Sequence, residues 1–411
     1  MDSLTQITLG AAVGELVLGK KIGNRALVWG AIGGTIPDLD VLSKFWMSEI
    51  DSLAFHRGIT HSVLFAMVGS WVFAFLLHRY YKSGIREQRW MAYLSFMLGS
   101  LLLLSLSGGI IYLFREASSF VLFLVLSILV GLLYLLILRL WRSHFTRPVT
   151  PVAASFRDWL SLFFWALLTH SLLDAFTSYG TQLFYPFTDW RVAFNVIAIV
   201  DPIYTLPFLG SLILAARLAR DNPFRAKLVR FGLVWSTAYL VLCGINKLYI
   251  DQIFERSFIS AGITPARYTT SPAIFSNILW QGVVESDSAF YLGTYSLFDS
   301  KASVVDFVKV AKTASDQEPE DSSVNILRWF SNGYYSLHPL PDGKYRFSDL
   351  RYGGIMGGDK KEPIEERFIF SFLLTPKSGG WLVEQIQPGD RDIKRVFAAL
   401  WHRMKGHVSS L

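Results

Sequence analysis

The chain has a single cysteine in 411 residues, which rules out an intrachain disulfide. Cys243 sits inside an apolar run, so thiolate ligation or thiol catalysis is not expected. Charge is also scarce, at 17% of residues against about 25% in an ordinary soluble protein. No P-loop, dinucleotide fingerprint, nucleophile elbow or His-Glu-x-x-His helix is present. The N-terminus lacks the basic flank and cleavage site of a removable signal peptide.

Apolar residue is what the chain has in excess, 52% overall and concentrated in the first 250 positions. Charge divides at the same place. Residues 1–250 carry 21 Lys and Arg against 13 Asp and Glu, and residues 251–411 carry 18 against 19. The basic balance therefore belongs to the apolar half, which favours positive-inside loops over nucleic-acid binding.

A bilayer-spanning helix needs about 20 mostly apolar residues. Six stretches qualify: 62–79, 90–113, 119–140, 158–176, 196–216 and 230–250. Two shorter, Gly-rich stretches, 4–18 and 26–36, predict an N-terminal helical hairpin. Basic clusters at 20–25, 78–89, 139–157 and 217–230 belong in the cytoplasm. Alternation then puts 37–61, 114–118, 177–195 and everything after 250 outside. Residues 251–263 predict an amphipathic helix. Later runs (276–284, 289–297, 344–350, 366–374 and 381–386) predict strands of a mostly antiparallel sheet, with turns at Pro341-Asp342-Gly343 and Ser378-Gly379-Gly380. Helices are expected at 302–313 and 323–331, and a solvated acidic loop at Asp316 to Asp321. The expected fold is an α-helical polytopic membrane protein of about six spans plus the hairpin (1–250), followed by a small soluble α+β domain (251–411).

Ionisable residues beside these apolar runs are costly and so point to a function. They are Asp38 and Asp40, then His56 and His61 around Arg57-Gly58, then His170 and Asp174 at i and i+4 on one helix face. On the loop-charge topology all six fall at the outer membrane boundary. Imidazoles mixed with carboxylates suit Zn, Mn or Fe. Each motif also has a plainer reading. His170 with Asp174 could cap a helix end, Pro37-Asp38-Leu39-Asp40 could stop one, and the two interfacial histidines could face water. Arg57 is a candidate anion or transition-state contact, or an arginine meeting headgroups. Asp2, Gln6 and Asp201 lie at the same level, and the Thr177-to-Gln182 stretch follows Asp174. His78 and His144 fall in cytoplasmic loops. His338, His402 and His407 have no companion motif. Trp90, Trp141, Trp159 and Trp190 suit an aromatic belt.

Met1-Asp2-Ser3-Leu4-Thr5-Gln6, Ile36-Pro37-Asp38-Leu39-Asp40, His56-Arg57-Gly58-Ile59-Thr60-His61-Ser62 and Thr169-His170-Ser171-Leu172-Leu173-Asp174 together resemble the YdjM-like family over about residues 1–216. Members of that family are described, by prediction, as membrane-bound metal-dependent hydrolases of bacteria, with phospholipase-like activity suggested. The resemblance implies Asp38, Asp40, His56, His61, His170 and Asp174 as the shared polar set. Many relatives carry a histidine where this chain has Gln6.

The expected function is hydrolysis of a lipid or lipid-linked ester or phosphoester in the bacterial inner membrane, at a divalent ion with Zn favoured and Mn or Fe as alternatives. Asp38 and Arg57 are the expected catalytic residues, and Asp38, Asp40, His56, His61, His170 and Asp174 the expected ligands. Two other classes use the same residues. One is an ion or proton transporter, which would place its site near the midplane, often between repeats. The other is a metal-stabilised scaffold whose soluble domain binds a partner.

Overall fold

The computed structural model describes residues 1–113, 119–142, 145, 151–304, 306–313, 319–354, 367–386 and 393–406. The expected outer loop 114–118, His144, His407 and residues 316–318 of the acidic stretch lie outside the described residues. Contacts divide the chain into two units, Met1–Trp71 with Ser161–Leu411, and Val72–Leu160.

The first unit opens with the expected hairpin, α1 (Ser3–Ile22) and α2 (Asn24–Gly33). Gly10 and Gly14 on α1 meet Gly30 and Gly34 on the facing chain so closely that a Cβ at any of the four would strike backbone. Two small residues four apart on each side let helices approach without side chains between them. A 3-10 helix, Pro37–Phe45, follows, then α3 (Glu49–Phe55), a 3-10 turn at Ile59–His61 and the start of α4 (Val63–Lys82). The second unit holds the rest of α4, then α5 (Arg89–Leu113), α6 (Ser119–Trp141) and the start of α7 (Phe156–Ala175).

Among the described residues four helices are long and apolar enough to cross a membrane: Val63–Lys82, Arg89–Ile111, Phe123–Trp141 and Pro223–Ser260. The expected six are not reached. The stretch 196–216 is not one helix. Asp201 accepts the N–H groups of Ile203 and Tyr204 and starts α8 at Pro202, leaving 15 residues, Pro202–Ala216. At 1.5 Å per residue these cover roughly 22 Å, short of a hydrocarbon core of about 30 Å. The other shortfall is α7, which carries Arg157 and Asp158 at one end and His170 and Asp174 at the other.

Helix α9 (Pro223–Ser260) runs through residue 250 without a break. Its end buries Ile250, Ile253, Phe254 and Phe258 against Trp280, Val284 and Tyr295 of the first sheet. That sheet is antiparallel, in the order β1 (Arg267–Pro272), β2 (Leu279–Glu285), β3 (Ala289–Ser296), β4 (Val308–Ala311). After α10 (Ser322–Phe330) comes a second antiparallel sheet of β5 (Tyr335–Pro339), β6 (Tyr345–Asp349), β7 (Ser371–Lys377) and β8 (Gly380–Gln385), and then α11 (Ile393–Met404). The expected single sheet is therefore two. The expected helix at 302–313 is corrected to strand β4, whose Val308 and Val310 pair with Leu292 and Phe290. β-branched residues at alternate positions beside an open sheet edge outweigh the helical spacing.

Candidate metal centre

The tight α1–α2 hairpin hands the chain into the 3-10 helix, where Pro37 fixes the first turn. The three-residue turn of that helix puts Pro37, Asp40 and Ser43 inside while Leu39, Val41 and Leu42 stay exposed. The turn at Ile59–His61 begins after Arg57, which takes a left-handed backbone, φ 59°. A left-handed non-glycine residue is uncommon and is held by its surroundings. Here the Arg57 N–H donates to Asp40 Oδ2 at 2.9 Å, and the Arg57 carbonyl accepts from the Gln182 N–H at 3.0 Å. This reversal brings His61 down beside His170 and Asp174, which share one face of α7.

Asp38, His61, His170 and Asp174 each offer one ligand atom, all within 4.8 Å of one another, and this group could hold a metal ion. His61 Nε2 and His170 Nε2 stand 3.1 Å apart. Asp38 Oδ1 lies 3.5 Å and 3.6 Å from those nitrogens, and Asp174 Oδ2 lies 3.4 Å and 3.6 Å from them. Four donors arranged tetrahedrally at bonds of 2.0–2.1 Å would stand about 3.3–3.4 Å apart. The observed separations bracket that value.

Hydrogen bonding also fits a cation. His170 Nδ1 lies 2.7 Å from the Gly34 carbonyl oxygen, which can only accept, so Nδ1 carries a hydrogen. His61 Nδ1 faces Thr60 Oγ1 at 3.1 Å and Asp40 Oδ2 at 3.3 Å, and the Thr60 hydroxyl donates to that same carboxylate oxygen. In their neutral forms both rings therefore turn a lone pair, on Nε2, toward the centre. Asp174 Oδ1 accepts from Gln6 Nε2 at 2.9 Å and from the Met1 amine, while the buried Oδ2 has no hydrogen-bond donor among the described residues. Arg57 Nε lies 3.1 Å from Oδ2, but out of hydrogen-bonding alignment. Two lone pairs and two carboxylate oxygens thus converge without a hydrogen to share.

Such a centre attracts positive charge. Burial works against a proton on His61, just ahead of α4, yet Asp174, Asp38 and Asp40 outweigh it and hold its pKa up at about 9. Burial would raise the Asp38 and Asp40 carboxyls too. The neighbouring imidazoles, His170 and His61 at Asp38 and His56 and His61 at Asp40, keep both below the usual carboxylate range.

Of the six expected ligands the structure gathers four. Asp40 and His56 lie outside that group. Asp40 accepts from His56 Nδ1 at 2.7 Å, from the Arg57 N–H and from Thr60, so its oxygens are taken up in orienting the motif. Arg57 is buried, with Nη1 donating to Thr177 Oγ1 at 3.1 Å and its guanidinium over the Tyr179 ring. Gln6 braces Asp174 and the His170 carbonyl. Asp2 and Asp201 cap α1 and α8, and Asp201 also accepts from the Tyr239 hydroxyl. Sequence reasoning missed three partners. The Gly34 carbonyl carries no side-chain signal. Thr60 passed as an ordinary motif residue. Arg191 stood alone in a nearly neutral loop, yet it donates to the His56, Tyr179 and Gly180 carbonyls.

A family model for the YdjM inner membrane protein matches residues 1–110 and 119–250. The chain belongs to the YdjM inner membrane protein family. The family region contains all four converging donors, together with Asp40, His56 and Arg57, and ends inside α9. A search of curated proteins finds no match, and a search of solved structures finds none. Family membership and the apolar helices support a membrane location.

Proposed function

We propose that this YdjM family member is a multi-pass inner-membrane, metal-dependent hydrolase that acts on a lipid or lipid-linked ester or phosphoester. The observation that carries the reading is the convergence of His61 Nε2, His170 Nε2, Asp38 Oδ1 and Asp174 Oδ2, four atoms that can each donate a lone pair to an ion when the imidazoles are neutral. Zinc is the favoured ion, from the mixed imidazole and carboxylate set and the donor separations. A divalent ion held there would supply Lewis acidity and bring the pKa of a water to near neutrality.

The chain's own residues divide the remaining work. The Asp38 side chain is 17% exposed and those of the other three donors 0%, so substrate and water reach the group from the Asp38 side. Asp38 is then placed to orient a water or take its proton. Arg57, beside Asp174, offsets the negative charge that two carboxylates and a developing oxyanion bring together. Gly34 and Asp40 fix the histidine tautomers.

A site at headgroup depth suits a lipid substrate. Phe45, Trp46, Phe187 and Trp190 are all more than half exposed on the two segments that flank the group, as interfacial aromatics are. On this reading the loops carrying the site, and residues 251–411 as a soluble α+β domain, lie on the extracytoplasmic side. Metal analysis of detergent-purified protein tests the proposal. Near-stoichiometric zinc, manganese or iron is expected in the wild type and none in His61→Ala or His170→Ala. Metal-dependent release of product from phospholipids or lipid phosphates should follow. A wild type that takes up no metal on reconstitution would overturn it.

A further inference from the structure

A cavity of about 470 Å³ lies between the 3-10 helix with α3 on one side and the second sheet on the other. Val41, Lys44 and Leu53 contribute to the first wall, and Phe370, Phe372 and Gln385 form the second. His56 and Tyr179 also line it, next to the metal-type group. The His56 and His61 ring centroids are 6.0 Å apart.

His56 differs from the two converging histidines. Its Nδ1 is engaged by Asp40 at 2.7 Å and its side chain is 24% exposed. The nitrogen left for an occupant is Nε2, and with Nδ1–H donated to a carboxylate it is an acceptor. Lys44, Glu49, Ser52 and Gln385 share the lining with Val41, Leu53, Phe370 and Phe372, so polar and apolar surface stand side by side, and the His56 acceptor there favours an amphiphilic ligand that brings a donor.

The second wall is fixed in place by three separate contacts. Ile50 of α3 is buried in the core of the second sheet with Leu337, Phe347 and Phe372. Glu49 Oε2 accepts from the Gln385 N–H at 2.7 Å. Arg191, bound to the His56 and Tyr179 carbonyls, lies against the rings of Trp329 and Phe330. Residues beyond the family region thus complete a pocket beside the family's histidines.

We propose that this pocket binds a hydroxyl-bearing lipid headgroup, with His56 Nε2 accepting from the hydroxyl and Phe370 and Phe372 contacting the adjoining apolar segment. The inference rests on the hydrolase reading for its purpose and names the substrate class, but its test does not depend on turnover. Cys243 is fully buried, so a thiol introduced by V41C is read against a silent background. In full-length detergent-purified protein, maleimide labelling of V41C should be slowed by 1-decanoyl glycerol. Labelling of F187C, at an exposed position outside the pocket lining, should not. Methyl decanoate, which lacks the donor, should need about tenfold more for the same protection. Adding H56A to V41C should erase that difference while the metal content stays at the wild-type level.

Failure of 1-decanoyl glycerol to protect V41C, or equal protection of V41C and F187C, would overturn the pocket. Metal loss in H56A equal to that in H61A would make His56 a ligand and overturn its assigned role. Selective protection in a protein that takes up no metal would uphold the pocket while the hydrolase reading fails.

Discussion

Two buried polar clusters in the first unit are built on opposite principles. At one, Glu15 of α1 and Arg225 of α9 pair through two 2.6 Å hydrogen bonds from Nε and Nη2, and Nη1 reaches Asn24 Oδ1 and the Leu218 carbonyl. Each guanidinium nitrogen there has an acceptor. At the other, Asp38, His61, His170 and Asp174 turn acceptors toward one another, and Asp174 Oδ2 has no hydrogen-bond donor among the described residues. The first cluster is complete in itself and ties the hairpin to α9. The second is complete only with a cation. Burial alone does not separate a structural ion pair from a ligand site. The count of donors against acceptors does.

Substitutions should widen that contrast, most of all at Asp174. D174A removes a donor to the centre and leaves the buried Arg57 without its carboxylate. Loss of bound metal and a destabilisation of roughly 3–5 kcal/mol are expected, since an uncompensated buried charge is the costliest single change. Metal analysis and thermal unfolding in detergent would check both. D174N with metal retained would show that the centre does not depend on that carboxylate.

Arg225→Met should cost a comparable few kcal/mol in unfolding without changing metal content. E15L/R225M should recover much of that loss, because an ion pair that satisfies itself can be replaced whole by apolar packing, at about neutral cost. No double replacement at the other cluster should restore metal. Next in size is D40N. Asp40 holds His61 and His56 from behind, and loss of such a partner weakens metal affinity about 10- to 100-fold. Competition with a chelator of known affinity would measure it, and an unchanged affinity would remove Asp40 from the site.

The sequence made the two ends of this argument legible unequally. His and Asp at the margins of apolar runs are expensive, so Asp38, Asp40, His56, Arg57, His61, His170 and Asp174 stood out without any structure. Their division into four converging donors and an Asp40–His56 pair did not, because the left-handed Arg57 and the Gly34 carbonyl decide it and neither carries a side-chain signal. Five strands and the helix near 323–331 were visible from alternation and turn residues. The two-sheet arrangement was not, since β1, β4 and β5 are edge strands, each paired on one side only, and none of the three stood out in the sequence as a strand. Span counting failed where hydropathy averages over a cap: Asp201 ends one run and starts α8 within what reads as a single stretch.

A third cluster is the mirror image of the metal-type group and should have the smallest effect. Glu285 accepts from Lys312 at 2.7 Å and is also paired with Arg267, giving two cations to one carboxylate near solvent. Burial pushes the Glu285 carboxyl up, but Lys312 and Arg267 outweigh it and hold it below its ordinary value of 4.5. A carboxylate depressed in the folded state stabilises above that ordinary value, and the contribution fades as pH falls through the folded one. Thermal unfolding of E285Q should therefore lie slightly below wild type at pH 7, by about 1 kcal/mol or less for so exposed a pair, and meet it in acid. Salt should shrink the difference at pH 7, because water and ions can supply the missing charge there. A difference that persists in acid would assign Glu285 to packing. At the metal-type group three of the four side chains are closed to water and mobile ions, so there the same unequal count of charges becomes a demand for one bound cation.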